Sequence, residues 1–161
     1  MGVRLARPDE AEETWKIRNL ALRHGCRAVY DADALAAFTP DAMPANYRRA
    51  LEENPFFVFE AREKGQLAAT GFLDVREQSV EAIFTLPGCE GRGYASAILT
   101  AIKQEALRRG IRTLTLSSTP NAAGFYLRHG FTRLRDSHYF SARTRSYFAC
   151  VEMAWADARG Q

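Results

Sequence analysis

Leu86-Pro87-Gly88-Cys89-Glu90-Gly91-Arg92-Gly93-Tyr94-Ala95 is the stretch on which the fold turns. Ser79 to Leu86 runs into it as an extended apolar segment, and Tyr94 to Arg109 runs out of it as an amphipathic helix with Ile98, Ile102 and Ala106 on one face. A strand that passes through glycines into a helix suits an anion. The glycines let backbone approach a ligand closely, and the N–H groups of the first helical turn point at it. The helix dipole adds about 0.3–1 kcal/mol for a negative charge there. A plain strand-to-helix turn uses the same residues, so this segment alone leaves that alternative open. A dinucleotide-binding loop fits less well, because Gly91-Arg92-Gly93-Tyr94-Ala95-Ser96 has no small apolar residue or glycine at position 96. A Walker loop needs Gly-Lys-Ser/Thr, which is absent.

Upstream, Val3 to Arg7 alternates as a strand, Asp9 stands as a helix cap, and Trp15, Ile17, Leu20 and Leu22 form a helical stripe. Two short helices follow at Asp31–Phe38 and Asp41–Leu51. Phe56–Ala61, Leu67–Val75 and Ser79–Leu86 then make an antiparallel meander, its first hairpin turning at Glu63-Lys64-Gly65-Gln66. Downstream, Gly110 caps the long helix. Ile111–Ser117 is a strand, Asn121–His129 a helix, and Phe131–Tyr139 and Ser146–Trp155 the last strands. That order predicts an α+β fold: one mixed sheet with helices on both faces.

At 161 residues the chain suits one domain, 1–161. Its 47% hydrophobic and 25% charged residues argue against global disorder, and 22 basic against 19 acidic residues give no nucleic-acid signal. No apolar run approaches the ~20 residues of a membrane helix, and Ala6 breaks the myristoylation pattern that Gly2 begins. Cys26, Cys89 and Cys150 are too few and too scattered for a disulfide framework or a zinc site. The expectation is a cytoplasmic protein with reduced thiols, no metal, and neither nucleic acid nor membrane as partner.

A second motif follows one helix and one strand later: Asn121-Ala122-Ala123-Gly124-Phe125-Tyr126, closed by Gly130-Phe131. Together with Glu90-Gly91-Arg92-Gly93-Tyr94-Ala95 it resembles the GNAT superfamily of N-acetyltransferases, strongly over residues 79 to 131. Two positions depart from that family's pattern. Glu90 replaces a glutamine or arginine, so its carboxylate is expected to point away from the ligand, and Gly124 loosens its helix.

The resemblance implies a mostly antiparallel central sheet splayed between its fourth and fifth strands, here Ser79–Leu86 and Ile111–Ser117. It implies acetyl-CoA as cosubstrate and an acetyl transfer to a primary amine by direct attack. The backbone of Gly91, Arg92, Gly93, Tyr94 and Ala95 would hold the pyrophosphate. Leu86 and Asn121 would bond the pantetheine arm from its two sides. Tyr126, which also lies along that arm, would be the general acid, since a phenol near pKa 10 can protonate a departing thiolate.

For the base, Glu81 lies on the strand leading into the loop, where alternation puts it on one face with Ile83 and Thr85. Glu60 and Asp74 are weaker candidates, and ordered water does the same work. A Cys89 nucleophile served by His129 is a minor alternative. Arg92 and Arg128 are candidates for coenzyme phosphates. Arg133, Arg135, Arg143 and Arg145 form either a solvated edge or a site for an acidic partner.

Residues 24 to 54 would wall the acceptor side, with Asp31, Asp33, Asp41, Glu52 and Glu53 attracting a cationic amine beside Tyr30, Phe38 and Tyr47. The acceptor is a small-molecule amine or a peptide amine. A homodimer through the final strands is one assembly the pattern allows. The competing class is a non-catalytic acyl-CoA-binding module, which needs neither acid nor base.

Overall fold

The computed structural model describes residues 2–61, 65–142 and 144–158. Two expectations fall outside them, the Glu63-Lys64 part of the first hairpin turn and Arg143. The elements are β1 (Gly2–Leu5), α1 (Ala11–Gly25), α2 (Ala32–Phe38), α3 (Ala45–Glu53), β2 (Phe56–Glu60), β3 (Leu67–Asp74), β4 (Ser79–Thr85), α4 (Tyr94–Arg108), β5 (Thr113–Ser118), α5 (Ala123–Arg128), β6 (Thr132–Ser141) and β7 (Ser146–Ala156). They build one seven-stranded sheet in the order β1-β2-β3-β4-β5-β7-β6. Each neighbouring pair is antiparallel except β4 and β5, which run parallel.

Helix α4 covers one face. Ile98, Leu99, Ile102 and Ala106 are fully buried there against Leu73, Val80 and Leu114. The approach is close because β3 carries Gly71, where a Cβ would stand 2.8 Å from both Ile83 Cγ1 and Ile98 Cγ2. Helices α1 to α3 cover the other face, packing Ile17 on Val58 and Leu67, and Leu51 on Phe56 and Phe72.

Two helix starts differ from expectation. Helix α1 is entered through a 3-10 turn at Pro8–Glu10, and Glu10 rather than Asp9 does the capping. Its carboxylate accepts the Arg7 N–H at 2.8 Å, while Asp9 only reaches the Arg7 side chain. Helix α3 begins at Ala45 and not at Asp41, because Pro44 has no N–H to give a helix interior and serves better just outside its start.

Two irregularities shape the functional side. Strands β4 and β5 pair at one position, Ser79 with Thr115, and separate toward their carboxyl ends. In β4 the register against β3 slips: Phe72 faces Glu81 and Thr70 faces Phe84, so Ala82 and Ile83 together oppose Gly71. Ala82 absorbs this bulge with a left-handed φ of 56°. Simple alternation therefore fails. Glu81 does not share a face with Ile83 and Thr85: Ile83 packs toward α4, while Glu81 faces α1 and α3.

Candidate active site

The gap between β4 and β5 opens into a cleft of about 500 Å³. Ile83, Phe84 and Thr85 line it from β4, the glycine loop and the start of α4 from above, and Thr119, Asn121, Phe125 and Tyr126 from beyond β5. The loop takes its shape from left-handed backbone. Gly91 and Gly93 have φ of 77° and 83°, and Gly93 is the N-terminal cap residue of α4. The helix ladder starts with Ala97 N–H donating to Gly93 O. The N–H groups of Tyr94, Ala95 and Ser96 precede that bond and sit at the positive end of a helix of 15 residues. An anion lying in the splay meets them directly.

The residues singled out in the sequence divide as follows. Gly91, Gly93, Tyr94, Ala95, Asn121 and Tyr126 all line this cleft. Arg92 is exposed and outside the lining, and the half-buried Leu86 also lies outside it. The backbone of Leu86 is engaged within the protein: its N–H donates to Ala68 O at 2.8 Å and its carbonyl accepts from Cys89 N–H at 2.9 Å. Arg128 is exposed at the rim.

Glu90 corrects an expectation, because its side chain does not leave the cleft. It lines the cleft, accepts the Gly88 N–H at 2.7 Å and comes within 3.9 Å of His24 Nε2. Backbone N–H groups, its own and that of Gly88, hold its carboxyl below the usual range. The loop therefore carries its own anion close to the N–H groups at the start of α4.

Tyr126 is 7% exposed, with its ring edge-on to Phe125 and Phe131. Burial raises its phenol pKa, and the charge of Glu81 raises it further, so the hydroxyl stays protonated at neutral pH. Glu81 is half-buried and accepts the Ser79 hydroxyl at 2.7 Å. Burial, with the charges of Asp74, Glu77 and Glu152 on top, raises its carboxyl pKa above the ordinary value, against the pull of the Ser79 bond. A carboxylate displaced in that direction is a better proton acceptor than one in water.

Cys89 and His129 border the same cleft. The two ring nitrogens of His129 are engaged elsewhere, Nδ1 with Phe125 O at 2.8 Å and Nε2 with Ser96 Oγ at 2.9 Å. Glu60 is held by Arg4 at 2.8 Å on β2, and Asp74 accepts the Glu77 N–H in the turn after β3.

A sequence model of the family described as "Acetyltransferase (GNAT) domain" matches residues 26–147. The chain belongs to the GNAT acetyltransferase family. Solved members share its fold at low identity. A GCN5-related N-acetyltransferase from Rhodopseudomonas palustris has a TM-score of 0.86 at 17% identity, with 96% of this chain and 94% of that one covered. The PaiA N-acetyltransferase of Thermoplasma acidophilum, solved with coenzyme A, has 0.74 at 12%, covering 96% and 97%. YncA, a putative acetyltransferase from Salmonella typhimurium solved with acetyl-CoA, has 0.68 at 20%, covering 97% and 93%. No protein with a curated description matches.

On the other side of the β4 bulge a second cleft of about 440 Å³ opens between the sheet, α1 and α3. Glu81 lines it, as do Phe38 and Tyr47 from the segment expected to wall the acceptor. The acidic residues of that segment do not. Asp31 caps α2, Asp41 meets Arg23 at 3.2 Å, and Glu52 and Glu53 border a different depression. The wall instead includes Trp15 and Arg18 of α1 and Tyr139 of β6, none of them anticipated as site residues. The i, i+3 spacing of Trp15 and Arg18 was the available signal, since it puts the pair on one helix face. Among the described residues no group of His, Cys, Asp or Glu is arranged to hold a metal ion, and no helix is long and apolar enough to cross a membrane.

Proposed function

We propose that this GNAT protein transfers the acetyl group of acetyl-CoA to a primary amine by direct attack. The observation that carries this reading is the pair of clefts on either side of the Ala82 bulge: a groove headed by the N–H groups of the α4 start on the Ile83 side and a carboxylate-bearing pocket on the Glu81 side. The N–H groups around Gly91, Arg92, Gly93, Tyr94 and Ala95 hold the pyrophosphate, and Thr85 and Asn121 flank the pantetheine arm in the β4–β5 gap. Coenzyme-bound relatives of the same fold support that placement.

In the transfer, Glu81 takes a proton from the acceptor's ammonium, directly or through water. The free amine attacks the thioester carbon, a C–N bond forms and the C–S bond breaks. Tyr126 gives its proton to the leaving thiolate, and the surplus proton on the new amide nitrogen restores the phenol through solvent. The net change is ammonium plus thioester to amide, free thiol and one proton.

Titration of acetyl-CoA into the protein by calorimetry is the first test, with Gly93→Glu beside it. A Cβ at Gly93 meets nothing within 4 Å, so the variant strains the left-handed backbone without crowding the core. Saturable binding that the variant loses supports the cosubstrate site, and no binding by folded wild type overturns it. Tyr126→Phe then separates enzyme from sensor. Binding kept with turnover lost supports the acid role, while no turnover by any form with any amine leaves a non-catalytic acyl-CoA-binding module.

A further inference from the structure

The second cleft is built for more than an ammonium group. Among the described residues its lining carries two charges of opposite sign, Glu81 on β4 and Arg18 on α1, set between aromatic walls. Arg18 is held in place. Its guanidinium carbon lies 4.3 Å from the centroid of Trp15 and 4.7 Å from that of Phe38, and Nη1 donates to Asn19 Oδ1 at 2.8 Å and to Phe38 O at 3.2 Å. The supports are themselves tied down, because Trp15 Nε1 and Asn19 Nδ2 both donate to Pro40 O, at 2.8 and 2.7 Å. A guanidinium stacked on aromatic faces presents N–H donors in a fixed plane, the geometry that suits a carboxylate. Trp15, Phe38, Tyr47 and Tyr139 give the cleft apolar walls, with Trp15 and Tyr47 in edge contact at 4.9 Å.

We propose that the acceptor is a zwitterion: a small primary amine that also carries a carboxylate on an apolar or aromatic body, in the manner of an apolar amino acid. Its ammonium sits at Glu81, beside the Ala82 bulge, and its carboxylate sits at Arg18. A polycation would set a positive group against Arg18, and an acceptor without an ammonium would bring no cation to the half-buried Glu81. This inference rests on the acetyltransferase reading above and goes beyond it in naming the acceptor's chemistry. The transfer is the one already written, with the amine nitrogen acylated, the thiol released and the carboxylate unchanged.

The test uses the whole protein saturated with acetyl-CoA and follows thiol release. Phenylalanine and leucine are compared with phenethylamine and isopentylamine, which lack only the carboxylate. The carboxylate-bearing acceptors should be favoured by about tenfold or more in kcat/KM, mostly through KM. Arg18→Gln should collapse that ratio, and Arg18→Lys should restore it in part, because an ammonium lacks the planar fork. Thermal unfolding and acetyl-CoA titration of each variant show whether it is folded and loaded. If Arg18→Gln does not fold, the wild-type ratio alone still decides. Equal or better use of the decarboxylated amines overturns the proposal. Acetyl-CoA binding with no transfer to any amine of the panel also overturns it and leaves the cosubstrate site standing. Failure to bind acetyl-CoA removes both readings.

Discussion

Glu81 and Ile83 stand two residues apart on β4 and lie on opposite faces of the sheet, because Ala82 between them takes a left-handed φ of 56° and adds one residue opposite Gly71. The bulge gives one strand two duties. Ile83 joins the wall of the cleft under the glycine loop, and Glu81 turns into the neighbouring one. A left-handed alanine costs roughly 1–2 kcal/mol. The surrounding pairing holds it there, so Glu81 lines a different cleft from the glycine loop.

The acid limb of the rate profile should belong to Glu81. A base acts when deprotonated, so kcat/KM rises with pH through its pKa, and burial moves that pKa above the ordinary carboxylate value. Glu81→Gln should lower kcat/KM by about 10²- to 10⁴-fold and erase this limb. Steady-state rates from pH 4 to pH 9 check it. A variant that keeps the limb would assign it to another group.

Glu90 should weaken the cosubstrate it borders. Its carboxylate is exposed, so the repulsion of a pyrophosphate is screened. Glu90→Gln should tighten acetyl-CoA by up to about fivefold, the equivalent of about 1 kcal/mol at a surface site. Calorimetry at low salt reads the change, and weaker binding by the variant would mean that the Glu90 bond to Gly88 shapes the loop.

Gly71 should tolerate no side chain. An added methyl meets Ile83 and Ile98 at 2.8 Å, on a fully packed face. Gly71→Ala should cost about 1–3 kcal/mol. Denaturant unfolding checks this, and an unchanged midpoint would show that α4 is free to move off the sheet.

Glu10 should contribute to stability only above acidic pH. It is 5% exposed and accepts from Arg4 Nη1 and Nη2 at 2.9 and 2.7 Å and from the Arg7 N–H. The Arg4 bonds lead in holding its carboxyl low, against the opposing effect of burial. Its contribution is present above the unfolded pKa of about 4.3 and is lost as pH falls through the lower folded value. Glu10→Gln should cost about 1.5–3 kcal/mol at pH 7, and the gap to wild type should close toward pH 3. A gap that persists there would point to shape rather than charge.

Much of this protein was legible in its residues, because the signals were local. Gly91 and Gly93 before an amphipathic run require a tight loop and a helix start, and alternation with a turn between runs requires β2, β3 and β4 to pair in order. The helix starts were less legible where partners compete: Asp9 and Glu10 are both able to cap, and only the approach of Arg4 and Arg7 selects Glu10.

The sequence by itself determined the order of elements, the sheet they make and the family to which the two motifs belong, since each follows from neighbours within one strand or one helical turn. Only the tertiary structure decided which groups share a cleft. Arg18 and Glu81 line one cleft from 63 positions apart, and Tyr126, a further 45 along the chain, lines the other. What joins them is the single β4–β5 pairing, the Ala82 bulge and the packing of α1 on the sheet. Each of these depends on contacts between residues distant in sequence, which no local period or propensity encodes.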